Sequence, residues 1–133
     1  MTDLSKRNRA NKKKGSTWQS DLRSAIDPYF PVEILTLAGQ KDEGDLAVQI
    51  LPDLIAIIEA KAERSYDLPG YTREAIREGI NYEARRVHHL SPSGFVLPMW
   101  AVKQPRANTL AAHVGIDLET TINFWQWLHA RTW

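Results

Sequence analysis

Three residues carry the chemistry of this sequence: Asp45, Glu59 and Lys61. Asp45 opens an apolar run, and Glu59-Ala60-Lys61 closes the next one. Asp and Glu offer hard oxygen ligands, which favour Mg²⁺ or Mn²⁺ over Zn²⁺. The backbone carbonyl of Ala60 can add a third oxygen. Two residues apart on a strand, Glu59 and Lys61 lie roughly 6.6–6.8 Å from each other on one face. At that spacing the ammonium reaches a phosphate oxygen or a water without displacing the ion. A metal lowers the pKa of a water and stabilises charge at phosphorus, and an ammonium adds to that stabilisation. These parts suit phosphodiester hydrolysis. The plainer alternative for the same residues is a surface salt-bridge cluster at strand ends.

Those residues need two strands joined by a tight turn. Between Leu46 and Ile58 the chain is mostly aliphatic, interrupted at Leu51-Pro52-Asp53. Pro52-Asp53 are turn residues, so strands are predicted over about 44–50 and 54–61. Alternation puts Ile55, Ile57, Glu59 and Lys61 on one face. Upstream, Trp18, Leu22, Ala25 and Ile26 form the single apolar stripe of a helix, capped by Ser16 or Thr17 and ended at Asp27-Pro28. Val32–Leu37 reads as a first strand. Asp67-Leu68-Pro69-Gly70 reads as a turn before a helix from about Tyr71 to Val87. That helix shows two stripes, Tyr71/Ala75/Gly79/Tyr82 and Ile76/Ile80/Ala84/Val87. Phe95–Val102 is a fourth strand whose Pro98 argues for an edge or a bulge. A short connector, a fifth strand over 113–118 and an aromatic-rich helix over 119–129 complete the chain. The order α-β-β-β-α-β-(β)-α implies an α/β fold with a mixed sheet, an antiparallel meander followed by a crossover to a parallel fourth strand.

Composition sets the bounds. The 133 residues suffice for one domain, with 43% apolar and 25% charged residues as in ordinary globular proteins. No apolar run approaches the ~20 residues of a membrane span. The basic N-terminus lacks the apolar stretch of a signal peptide, so an intracellular, cytoplasmic protein is expected. With no Cys there are no disulfides and no thiolate metal sites. Residues 1–14 carry Lys6, Arg7, Arg9, Lys12, Lys13 and Lys14 against Asp3. From a total of +1, this leaves about −4 for the rest. The sequence thus divides into a basic arm, 1–14, and a domain, 15–133. Such an arm suits an anionic partner, nucleic acid above all, or serves only solubility.

The surroundings of the three residues carry a resemblance. Lys13-Lys14-Gly15-Ser16-Thr17-Trp18 leads into a helix. Asp42-Glu43-Gly44-Asp45-Leu46, Ile58-Glu59-Ala60-Lys61 and Asp67-Leu68-Pro69-Gly70 follow in order. This set, over about 15–103, resembles the PD-(D/E)XK nuclease superfamily, and within it the Holliday-junction resolvases of archaeal and actinobacteriophage type. The resemblance implies a restriction-endonuclease-like fold and a Mg²⁺-dependent endonuclease of a prokaryotic or phage-infected cell. In that mechanism Asp45, Glu59 and Ala60, assisted by Gln19, hold Mg²⁺ (Mn²⁺ as a substitute), water attacks the scissile phosphate, and Lys61 stabilises the transition state. Two symmetric nicks imply a homodimer. Backbone phosphates of branched or duplex DNA would meet Arg9, Lys12, Lys13, Lys14, Lys41 and Arg64. Ser16 would join them, although its first reading is a helix cap. One position departs from the family pattern. Where the first helix usually supplies a Glu ligand after its aromatic residue, this chain has Gln19. An amide oxygen ligates without formal charge, and so more weakly. Glu43 is a spare carboxylate on the loop. Two alternatives follow: another nuclease on the same core, or a junction-binding protein with a weakened site. Glu74 and Glu78 read as solvated helix residues, with Glu74 bordering the site. The aromatic residues Phe124, Trp125, Trp127 and Trp133 read as core or interface rather than as base-stacking platforms.

Overall fold

A computed structural model describes residues 17–38, 43–86 and 94–131. Residues 17–26 form the first helix, α1. Trp18 and Leu22 on its predicted stripe are buried, and Ile26 packs against the same cluster. The Trp18 indole N–H donates to the Ala101 carbonyl at 3.2 Å, which fixes α1 on the sheet. The helix ends in a turn at Asp27, as the Asp-Pro step requires.

The sheet has five strands in sequential order: β1 (Val32–Ile34), β2 (Leu46–Leu51), β3 (Leu54–Lys61), β4 (Phe95–Val102) and β5 (His113–Gly115). β1, β2 and β3 pair antiparallel, β3 and β4 parallel, and β4 and β5 antiparallel. Pro52 and Asp53 make the β2–β3 turn as read from the sequence. The first strand is shorter than predicted. Its ladder stops at the Ile34–Leu46 pair, because the chain before Leu46 turns away toward β3. After one last bond, from the Leu35 N–H to the Asp45 carbonyl at 2.9 Å, Leu35–Ala38 winds into a 3-10 turn, and Leu35 becomes fully buried.

Helix α2 spans Leu68–Arg86 and starts three residues before the predicted Tyr71. Asp67 caps it: its side chain accepts from the Gly70 N–H at 3.0 Å and its carbonyl from the Tyr71 N–H at 2.9 Å. Pro69 then falls in the first turn, where its missing N–H costs nothing. Only the Tyr71/Ala75/Gly79/Tyr82 stripe is buried. Of the second predicted stripe, Ile80 is 60% exposed and Ala84 is exposed, while Val87 lies outside the described residues. One helix face suffices, since Gly79 brings α2 directly onto Pro98 of β4. A Cβ at position 79 would stand 3.0 Å from the Pro98 Cβ.

Pro98 lies in an inner strand, yet its missing donor is tolerated. β5 pairs only with Trp100–Val102, so the Pro98 stretch has β3 as its single neighbour. A 3-10 turn (Thr109–Ala111) precedes β5, and helix α3 (Leu118–Ala130) follows it. Asp117 caps α3 by accepting from the Thr120 N–H. Phe124 and Trp127 pack against Phe95 with tilted rings at 5.6 and 5.7 Å, while Trp125 is exposed.

The core has two faces. Trp18, Leu22, Ile34, Leu46, Val48, Ala56, Ile58 and Ala101 fill the α1 side. Leu35, Ala47, Ile57, Tyr82 and Val96 fill the other, and Tyr71, Trp100 and Val102 continue it under α2. Alternation along β3 therefore sends Ile57, Glu59 and Lys61 toward α2, as their spacing requires. No helix among the described residues is long and apolar enough to cross a membrane.

Candidate active site

The site forms where β2 and β3 part. Gly44 adopts a φ of +97°, which an L side chain resists, and a Cβ there would meet the Ile57 methyl at 2.5 Å. The kink aims the next residue at β3. Asp45 donates its N–H to the Ile58 carbonyl at 3.0 Å, and its Oδ2 accepts from the Ala60 N–H at 2.8 Å. Asp45 therefore stands just before β2 rather than within it. The N–H and C=O of one strand residue point to the same side. The Ala60 carbonyl consequently faces the side that holds Asp45, as the sequence reading asks of a ligand.

Gln19 is in place but turned the other way. Its Nε2 donates to Asp45 Oδ1 at 2.9 Å, and its Oε1 accepts from the Thr36 hydroxyl at 2.9 Å. It presents a donor to the carboxylate, not an oxygen to an ion. In this arrangement Gln19 positions Asp45.

Glu59 is 7% exposed, and Lys61 lies beside it at 3.2 Å. Helix α2 completes the group. Glu74 Oε2 accepts from Lys61 Nζ at 2.6 Å, and the Tyr71 ring lies 5.4 Å below the ammonium. Ligand oxygens of Glu59, Glu74 and Glu78 all lie within 4.8 Å of one another. The reading of Glu74 and Glu78 as solvated helix residues is corrected: both are half-buried over β3. Each immediately precedes a buried residue of the α2 stripe, Ala75 and Gly79. Two carboxylates four apart, flanking a buried stripe, were a signal available in the sequence.

Glu43 is no spare ligand. It is 1% exposed and paired with Arg86 (2.8 Å) and Arg85 (3.6 Å) in the last turn of α2. Arg64 lies exposed in the loop after β3, with no ion-pair partner among the described residues. The other predicted DNA contacts, Arg9, Lys12, Lys13, Lys14, Ser16 and Lys41, lie outside the described residues, as does Trp133.

The electrostatics are those of too many carboxylates around one ammonium. Burial, and then the neighbouring Glu59, push the Asp45 carboxyl up to about 7 despite the Ala60 N–H and Lys61. Burial, followed by the hydrogen bond to Glu78, raises Glu59. Burial raises Glu78 as well. Burial pulls Lys61 down, but the hydrogen bond to Glu74 and the charge of Glu59 outweigh it, and its pKa rises. One oxygen, Glu78 Oε2, is buried without a hydrogen-bond partner. Buried carboxylates in this state are costly unless a cation neutralises them. An all-oxygen donor set with an unpartnered carboxylate oxygen and surplus negative charge fits a hard divalent cation.

Fold and site together define an α/β protein whose five-stranded mixed sheet carries a carboxylate–lysine cluster at one rim. Neither a protein-family model nor a curated protein matches the chain.

Proposed function

We propose that the protein is a Mg²⁺-dependent endodeoxyribonuclease that nicks branched DNA, with four-way junctions as the preferred substrate. The observation that carries this reading is the meeting of Asp45, Glu59 and Lys61 at the parting of β2 and β3, joined by Glu74 and Glu78 from α2. Asp45, Glu59 and the Ala60 carbonyl would hold the ion. When bound, it supplies Lewis acidity toward water and phosphate oxygen. Glu74 and Glu78 supply the carboxylate charge that α1 lacks at Gln19. Gln19 keeps Asp45 oriented. Lys61, held between Glu59 and Glu74, would stabilise the extra negative charge on the phosphate during attack. Water adds to phosphorus as the P–O bond to the leaving strand breaks. The basic arm, Lys41 and Arg64 contact backbone phosphates, which makes binding salt-dependent and indifferent to base sequence.

The test is a panel of labelled four-way junction, flap, linear duplex and single strand, each with Mg²⁺, Mn²⁺ or EDTA. Metal-dependent nicking that favours the junction is expected. Equal rates across the panel would point to a restriction- or repair-like nuclease on the same core, and no cleavage of any substrate in either metal overturns the reading.

A second reading has one observation in its favour. The amide of Gln19 offers Asp45 a hydrogen bond where a carboxylate would offer the ion a ligand. This suits a protein that binds junctions without turnover. Gln19→Glu separates the two. The new carboxylate repels Asp45, so the metal-free variant should lose about 1–2 kcal/mol of stability by urea unfolding. In a nuclease the same change tightens Mg²⁺ binding, and nicking should saturate at a lower Mg²⁺ concentration. A variant that binds junctions tightly and still does not turn over favours the second reading.

A further inference from the structure

Glu43 is a loop residue, yet it is 1% exposed. Burying a carboxylate is costly, and a buried ion pair seldom adds net stability over an apolar pair of the same shape. What such a pair can supply is one set arrangement of the two chain segments that it joins. Here those segments are two parts of the candidate site. Arg86 Nε lies 2.8 Å from Glu43 Oε2, and the Arg85 guanidinium lies 3.6 Å from Oε1. No aligned hydrogen bond reaches Oε2 among the described residues, so charge holds this contact. Arg86 is itself held from two further sides, by Glu33 of β1 at 3.5 Å and by the Tyr82 ring at 5.6 Å. It is an immobilised partner rather than a free surface cation.

The residue so held stands two positions before Asp45. Gly44 lies between them, turned by its φ of +97° and without a side chain of its own to anchor. A Cβ on Gly44 would stand 3.8 Å from Glu78 Oε2. The segment therefore lies against α2 at two points, Arg86 and Glu78, which are eight residues or about 12 Å apart along the helix. Asp45 then bonds through its backbone to Ile58 and Leu35, and through its carboxylate to the Ala60 N–H. Those bonds set Asp45 against Glu59. The contact of Glu43 with Arg86 sets the same segment against the helix that carries Glu74 and Glu78.

We infer that Glu43 and Arg86 are positioning residues of the metal site: their ion pair clamps residues 43–45 to the end of α2 and so holds Asp45 in register with the carboxylates of that helix. Neither residue touches the ion; each acts through Asp45. The inference rests on the metal-binding part of the proposed function and is independent of the DNA substrate.

Two measurements on the full chain without DNA decide it: Mg²⁺ binding, read from melting temperature across a Mg²⁺ titration at pH 8, and amide hydrogen exchange in EDTA. Glu43→Gln keeps the shape and removes the charge. It should weaken Mg²⁺ binding roughly 10-fold, as loss of a group that orients a ligand does. The Asp45 and Ala60 amides should exchange faster relative to those of β4, because the bonds they make loosen first. Arg86→Gln should act in the same way, and Arg86→Lys, which retains the charge, should recover most of the loss. The double variant Glu43→Gln/Arg86→Gln should bind Mg²⁺ no more weakly than the poorer single variant, since both changes remove one contact. Arg86 sits in the last turn of its helix, so its variants carry the test even where Glu43→Gln does not fold. Arg131→Gln is the control. It breaks the ion pair with Asp53, six residues or about 20 Å along β3 from Glu59, and should lower the melting temperature without moving the Mg²⁺ midpoint. Glu43 and Arg86 variants that melt earlier yet bind Mg²⁺ as tightly as wild type, with Asp45 and Ala60 exchange unchanged relative to β4, overturn this inference and leave the metal reading standing. A wild type whose melting at pH 8 ignores Mg²⁺ overturns the metal reading and this inference with it.

Discussion

Replacing Asp45 by Asn is expected to lower Mg²⁺-dependent nicking by at least about 10³-fold, and at the same time to make the metal-free protein more stable at pH 8. The two halves come from the same atoms. Asp45 is held by the Ala60 N–H and the Gln19 amide, and its carboxyl is pushed up to about 7 by burial and by Glu59. At pH 8 the fold therefore carries a charge that its surroundings disfavour. An amide removes that charge and keeps the shape. The Gln19 side chain can turn to accept from the new N–H₂, while the Asn oxygen continues to accept from Ala60. About 1–2 kcal/mol of stabilisation should follow, a rise of several degrees in Tm. Junction affinity measured in EDTA should hold or improve, because one negative charge has left the surface proposed to face phosphate. A salt-bridge cluster without catalytic work predicts the opposite pair: no change in any activity and a loss of stability. Nicking kinetics and thermal melts of one variant thus decide between the readings. Wild-type cleavage by Asp45→Asn would remove Asp45 from the site altogether.

Much of this arrangement was legible in the sequence, and what was not has physical reasons. Parity along β3 places Glu59 and Lys61 together, because a strand offers only two faces and the flanking isoleucines choose one. β4 was read with its observed bounds, since a run of apolar residues between a Ser-Pro-Ser-Gly segment and a polar connector leaves little freedom. The first strand was read too long. Leu35–Leu37 continue its apolar pattern, but the ladder depends on whether β2 is still alongside, which is a property of Gly44 and not of the strand itself. Glu43 was misread for a related reason. Its loop position suggests exposure, while its charge partners, Arg85 and Arg86, lie more than forty residues away on α2. Glu74 and Glu78 were undervalued because carboxylates on helices are ordinarily solvated, and only the packing of α2 on β4 through Gly79 brings them over Lys61. At Gln19 the sequence shows an amide at a ligand position but not which end of it faces Asp45. The Thr36 hydroxyl sets that orientation, from a 3-10 turn that had been read as strand.

The stability of the protein should fall with rising pH in EDTA, and Mg²⁺ should reverse that fall at pH 8 but not at pH 5. The sign follows from proton counting. An unfolded Asp titrates near 3.9 and an unfolded Glu near 4.3. In the fold Asp45 titrates at about 7, and Glu59 and Glu78 are raised as well. Between about pH 4 and 7 the folded chain therefore binds more protons than the unfolded one, and stability declines as pH rises. The protonated carboxyls contribute fully below pH 4, and the contribution is lost as Asp45 passes its folded value. For Asp45 alone the full shift is worth on the order of 4 kcal/mol, of which Asp45→Asn, with its rearranged Gln19 amide, recovers a part. Lys61 does not offset it within this window. Its pKa is raised, so its contribution is constant below the ~10.4 of an unfolded Lys and disappears only above it. A divalent cation competes with these protons for the same oxygens. At pH 5 the protons hold the site, and Mg²⁺ should move Tm hardly at all. At pH 8 the Asp45 carboxylate is free, protons remain to be displaced only from the raised glutamates, and Mg²⁺ at 100 times its dissociation constant adds about 2.7 kcal/mol, or roughly 5–10 °C in Tm. Asp45→Asn should flatten the EDTA profile and shrink the Mg²⁺ response together, because one carboxyl underlies both. Melting curves with and without Mg²⁺ that stay parallel from pH 5 to pH 8 would mean that the cluster neutralises itself through Lys61, and that no ion belongs there.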